Sequence, residues 1–129
     1  MNAQKFIAVY MDHSSANIMQ LVSNTIETEV VESDFNHHVK ENALHKSENI
    51  MHNKEQQLQL SYYNTIKDKL KESKDILLFG TTTAKTELQN ILKTDSHFNA
   101  IKIAVTQTDK MTENQQHAFI KNHIKTHLI

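Results

Sequence analysis

The chain has no cysteine, no proline and one glycine among its 129 residues, and all 14 of its basic residues are lysines. The absence of cysteine excludes disulfides, thiolate zinc sites and cysteine nucleophiles, and is compatible with a cytoplasmic location. The absence of arginine removes the planar, two-pronged donor usually chosen for phosphate and carboxylate recognition. With a formal net charge of -1, nucleic-acid binding through a general basic face has little support, whereas local lysine clusters stay open to RNA contact. A coding bias toward lysine, asparagine and isoleucine is the plain alternative reading of the composition. No apolar run reaches membrane-spanning length. The stretch Phe6 to Met11 is broken by Asp12 and has no small-residue cleavage site, so it reads as a strand and not as a secretory signal.

A hydrophobic share of 38% against 22% charged residues fits one soluble globular domain over residues 1–129, large enough to bury a core without disulfides or a metal. Without proline, and with glycine only at position 80, the turns fall to Asn, Asp, Ser, His and Lys. Lys5 to Met11 is apolar enough for a central strand, Asp12-His13-Ser14-Ser15 supplies a turn, and a second strand follows around Ala16 to Val22. Ile26 to Ser33 alternates as an edge strand, which completes a three-stranded meander. Asp34 to His52 loses periodicity and is expected as a long, mobile loop of the kind that carries function or stays disordered. Asn53-Lys54-Glu55-Gln56 resembles a capping box, and Leu58, Tyr62, Ile66 and Leu70 form the apolar stripe of a first helix. Asp75 to Phe79 reads as a parallel strand buried on both faces, and a helix over about Thr82 to Lys93 turns Ala84, Leu88, Ile91 and Leu92 inward. Ile101, Ile103 and Val105 mark a last strand, and Thr112-Glu113-Asn114-Gln115 caps a final helix carrying Phe119, Ile120 and Ile124. The order βββαβαβα predicts an α/β fold with a mixed five-stranded sheet and helices on its faces.

Several residues invite chemistry, each beside a plainer role. Gly80 sits where a buried strand hands over to a helix, and Thr81, Thr82 and Lys85 follow it, so backbone N–H groups there are placed to hold an anion. The plainer reading is a sharp turn at Gly80, a threonine cap and a solvent-facing Lys85. Neither the phosphate-loop pattern nor Gly-x-Gly-x-x-Gly is present, and no cofactor is expected. Asp12 and Asp109 follow the first and last strands and would meet at the sheet's carboxyl edge, as in two-metal nucleases, or else serve a turn and a helix entry. His37, His38, His45 and His52, with Lys40, Lys46 and Lys54, are candidates for RNA contact or, less in keeping with zinc-site spacing, for a metal, or are solvated. His123 and His127 stand four apart on the last helix, a metal-permitting spacing also explained as surface decoration that favours the helix dipole.

The opening Phe6-Ile7-Ala8-Val9-Tyr10-Met11-Asp12-His13, the second strand with Ala16 and Ile18, the long loop, the Gly80, Lys85, Leu88 element and the turn Thr108-Asp109-Lys110-Met111-Thr112 together resemble the central domain of archaeal and eukaryotic peptide-chain release factors and of Pelota, in the compact form of bacterial homologues. The resemblance implies a ribonuclease-H-like fold and a role at the ribosome, with ribosome or tRNA, and a further protein, as partners. Release factors carry Gly-Gly-Gln at the tip of the loop before the first helix. Asp34 to His52 contains neither glycine nor glutamine, so no catalytic residue carries over. The resemblance implies a non-catalytic binding module related to release, surveillance or hibernation factors. The alternative is a metal-dependent nuclease or small hydrolase at the carboxyl edge near Asp12, Gly80 and Asp109. Self-association through the Ile26 to Ser33 edge is a third expectation, which Glu27, Glu29 and Glu32 disfavour.

Overall fold

The computed structural model of the chain describes residues 6–22, 25–33 and 48–127, with side chains from 56 to 126 in the last stretch. Five strands form one mixed sheet in the order β3-β2-β1-β4-β5, with β1 Phe6–Met11, β2 Ser15–Val22, β3 Thr25–Glu32, β4 Asp75–Gly80 and β5 Lys102–Gln107. The β1–β2–β3 meander is antiparallel, and β1, β4 and β5 run parallel. This is the mixed α/β sheet that the strand-helix alternation predicts. Helices α1 Glu48–Leu70, α2 Ala84–Lys93 and α3 Glu113–His127 complete the fold, with a short 3-10 turn at Ser96–Phe98.

The period-two alternation of the central strands sorts the side chains into two cores. Ile7, Val9, Met11, Ile76 and Leu78 face α1 and α2, where Tyr62, Ile66, Leu70, Ala84, Leu88 and Leu92 close over them. Ala8, Met19, Leu77 and Phe79 face α3, which contributes Ile120 together with the half-buried Phe119 and Ile124. Strand β4 is covered on both sides, so every residue from Ile76 to Gly80 is buried. Each fully buried aliphatic side chain here contributes about 1.5–3 kcal/mol relative to exposure.

Several boundaries differ from the sequence expectation. Helix α1 begins at Glu48, so Asn53 to Gln56 lie inside a helix already under way and not at its N-terminus. His52 and Lys54 therefore belong to the helix and not to the loop expected from the sequence. No apolar repeat marks residues 48–52, so the sequence gives no sign that the helix extends there. Strand β4 continues through Gly80, and α2 starts at Ala84 instead of Thr82. The capping box before α3 forms as expected: Thr112 N–H donates to Gln115 Oε1 at 2.9 Å, and Gln115 N–H donates to Thr112 Oγ1 at 3.2 Å.

Candidate functional site

Because β1, β4 and β5 are parallel, their carboxyl ends share one edge. From β1 the chain turns into β2 on one side, and from β4 it crosses through α2 to β5 on the other. The edge between β1 and β4 is thus a topological switch point, the usual ligand crevice of open α/β sheets. Asp12, Gly80 and the threonines after it gather there.

Asp12, Gly80, Thr82 and Thr83 are each engaged by the fold itself. Asp12 Oδ1 accepts the N–H groups of Ser14 at 2.7 Å and Ser15 at 2.9 Å, while its backbone carbonyl accepts the Tyr62 hydroxyl at 2.8 Å. The carboxylate is the acceptor of a tight turn, as its turn reading requires. Gly80 has a φ of +151°, and a Cβ built on it would stand 2.4 Å from the Met11 carbonyl oxygen. Only glycine lets the ends of β1 and β4 approach so closely. The Gly80 carbonyl accepts the Thr108 N–H at 2.9 Å, which ties β4 to the loop leaving β5.

Lys85 contradicts its solvent-facing reading, since it is only 3% exposed. Its ammonium donates to the Thr82 carbonyl and, at 2.7 Å, to Gln107 Oε1, and Gln107 Nε2 in turn donates to the Thr81 carbonyl at 2.9 Å. Burial pushes the Lys85 pKa below its ordinary 10.5. The lysine thus fastens the β4–α2 turn to the end of β5. The threonine cap also differs in detail: Thr83 at the N-cap makes no side-chain capping bond, and Thr82 Oγ1 accepts the Ala84 N–H at 3.2 Å. An anion at the start of α2 would face Glu87, an acid in the first turn.

Asp109 is exposed on the loop before α3, and the helix entry assigned to it falls to Thr112 instead. It lies beyond β5, the strand next to β4, and lines an open depression of about 460 Å³ with Lys110, Met111, Gln115, Ala118 and Phe119. Among the described residues no three of His, Cys, Asp and Glu group closely enough to hold a metal ion. His123, read as surface decoration, stacks on Phe6 with ring centroids 5.7 Å apart. His37, His38, Lys40, His45 and Lys46 lie outside the described residues. For His52 and Lys54 only the helical backbone is described, and the His127 side chain is likewise outside.

The sequence reading missed the polar cluster that does form at this edge. Glu87 Oε1 accepts the Tyr63 hydroxyl at 2.6 Å, Glu87 Oε2 lies 3.3 Å from His13 Nε2, and Thr83 Oγ1 donates to the same oxygen at 3.3 Å. Burial pushes the Glu87 carboxyl up, but the hydrogen bonds from Tyr63 and His13, the His13 charge and Thr83 together hold it below its ordinary 4.5. Burial, and then the hydrogen bond to Glu87, pushes the Tyr63 hydroxyl well above its usual range. Burial followed by the Asp12 charge does the same at Tyr62. One signal for the cluster was present: consecutive tyrosines beside an apolar stripe must find partners for their hydroxyls once buried. The cluster clasps the β1–β2 turn, α1 and α2 together at the switch point.

This architecture recurs among solved structures. The chain is similar to Pelota of Thermoplasma acidophilum, with a TM-score of 0.62 and 18% identity over 95% of this chain and 34% of that one. Pelota of Archaeoglobus fulgidus matches with a TM-score of 0.60 and 12% identity over 95% of this chain and 32% of that one. Dom34 of S. cerevisiae, a translation termination-like factor involved in RNA quality control pathways and interacting with Hbs1, matches with a TM-score of 0.57 and 13% identity over 94% of this chain and 33% of that one. The fold is Pelota-like, and the chain spans about a third of the length of the proteins it matches. No family model matches the chain. A search of curated proteins finds no match either.

Proposed function

We propose that this chain is a cytoplasmic, non-catalytic binding module that acts on the ribosome or on tRNA, related to translation release, surveillance or hibernation factors. The observation that carries this reading is the shared fold over nearly the whole chain with Pelota and Dom34. It is supported by the carboxyl edge, where Asp12, Lys85 and Glu87 hold the fold together. Asp34 to His52, the stretch that corresponds to the Gly-Gly-Gln loop of release factors, contains neither the glycines nor the glutamine that hydrolysis of peptidyl-tRNA needs. His37, His38, Lys40, His45, Lys46, His52 and Lys54 are the proposed RNA contacts. A protein partner is also in keeping with the reading, as Dom34 interacts with Hbs1.

The test is sedimentation of the purified protein with ribosomes at moderate salt, run beside a peptidyl-tRNA hydrolysis assay. Binding without hydrolysis is expected. No association, together with metal-dependent nuclease or hydrolase turnover that disappears in Asp12→Ala, would reverse the assignment.

A further inference from the structure

The opposite end of the sheet, where β1, β4 and β5 begin, carries a hollow that the proposed function leaves unused. Phe6, Asp75, Lys102, Ala104, Thr106 and His123 line about 170 Å³ between the sheet and α3, room for one planar heterocycle. Its chemistry follows from the strand register. Asp75 and Lys102 are direct partners on the parallel strands β4 and β5, so their side chains leave the same face. Opposite charges so placed ordinarily pair. Yet among the described residues neither side chain makes an ion pair or hydrogen bond. A carboxylate acceptor and an ammonium donor therefore open onto the same small space. Beside them the imidazole of His123 lies nearly parallel to the Phe6 ring, 24° between planes, and supplies a flat aromatic wall.

The surrounding field has the matching sign. Among the described residues Lys74 and Lys102 adjoin at the starts of β4 and β5, Lys93 and Lys125 come from the last turns of α2 and α3, which end here, and Lys121 from one turn earlier; on the acidic side stand Glu72 and Asp75, with Asp68 and Asp95 already paired to Lys71 and Lys67. Among the described residues the other end of the sheet carries Asp12, Glu32, Glu87, Asp109 and Glu113 against one exposed lysine, Lys110. A chain of nearly zero net charge thus presents ends of opposite sign, and a polyanion is steered to the lysine end.

We propose that this hollow binds one nucleotide of single-stranded RNA, with its base against the Phe6–His123 wall, its pairing-edge N–H groups donating to Asp75, and its phosphate at Lys102. An ionised carboxylate only accepts hydrogen bonds, so the base it suits best is guanine, which offers adjacent N–H donors. Stacking on aromatic rings supplies the sequence-tolerant part of the binding. The choice of RNA over DNA rests on the translation reading; the site itself does not.

The test is titration of the full chain with guanosine monophosphate, uridine monophosphate and inorganic phosphate, followed by amide NMR shifts. Guanosine monophosphate is expected to move Phe6, Lys102, Thr106 and His123 saturably, with uridine monophosphate weaker and phosphate alone leaving the wall residues unmoved. Asp75→Asn and His123→Ala, each checked for a retained native spectrum, should each weaken guanosine monophosphate by about tenfold or more. Equal shifts from inorganic phosphate, shifts mapping to another surface, or undiminished binding in a folded Asp75→Asn would overturn the proposal. Nucleotide binding in a protein that does not sediment with ribosomes would uphold this site and remove only the translation reading.

Discussion

Gly80 and Lys85 show how single side chains decide the geometry of the carboxyl edge. At Gly80 a positive φ coincides with the Met11 carbonyl in the space a Cβ would fill, so two separate penalties fall on any replacement. Gly80→Ala is expected to destabilise the fold by roughly 3 kcal/mol or more, read from denaturant unfolding. A change below about 0.5 kcal/mol would show that β1 and β4 can part without cost. Glu87 makes a pH prediction. Its carboxyl titrates below 4.5 in the fold because hydrogen bonds from Tyr63 and His13 outweigh the opposing effect of burial. The folded chain therefore binds fewer protons than the unfolded chain between those two values, and stability rises with pH across that window. The contribution is fully present above about pH 4.5 and is lost as the pH falls through the folded value. Urea unfolding between pH 7 and about pH 3 should show a shallower acid loss in Glu87→Gln than in the parent. An unchanged acid slope would place the ionisation-linked stability elsewhere.

At the scale of elements, the caps and edges carry separate predictions. Removing one half of the reciprocal cap of α3 by Thr112→Ala should cost about 1 kcal/mol, measured by thermal or denaturant unfolding. Strand β3 forms one edge of the sheet, with Val30 58% exposed and Glu27 and Glu29 on the face toward α1, where Lys69 pairs with Glu29. A second copy adding to this edge would bring like charges together across the new strand pair. The protein is expected to sediment as a monomer near neutral pH, and a dimer dissociated by Val30→Lys would show that the edge does recruit a copy. These elements were readable in the sequence where one periodicity dominated. Alternating apolar residues marked β1, the continuous run Ile76 to Phe79 marked β4, and Thr112 with Gln115 marked the start of α3. The start of α1 was hidden because residues 48–52 have no apolar repeat. The Tyr63–Glu87 bond was hidden because its partners are 24 residues apart and meet only after β4 and α2 dock. Lys85 was misread because an isolated lysine after a glycine looks solvated until the Gln107 partner is in place.

Across the whole molecule, the sheet separates two kinds of end. Among the described residues the carboxyl end is acidic, and Asp12, Lys85, Glu87 and Gln107 are engaged there in turns and the Glu87 clasp. The amino end gathers Lys74, Lys93, Lys102 and Lys125. The segment between Ser33 and α1 leaves from the carboxyl end, as the Ser33 N–H bond to the Ser14 carbonyl shows. Its histidines would add positive charge to the segment on protonation near pH 6. Contacts to RNA made by this segment should accordingly strengthen between pH 8 and about pH 6, whereas pH-independent affinity would remove its histidines from the interface. No helix among the described residues is long and apolar enough to cross a membrane. The proposed function has the chain bind the ribosome or tRNA through this segment without catalysing release. Its most direct test is co-sedimentation with ribosomes at moderate salt, comparing the parent with a variant carrying alanine at His37, His38, Lys40, His45 and Lys46. The parent is expected to pellet with ribosomes and the variant to stay largely in the supernatant; a parent that remains in the supernatant, or a variant that pellets equally well, would contradict binding through this segment.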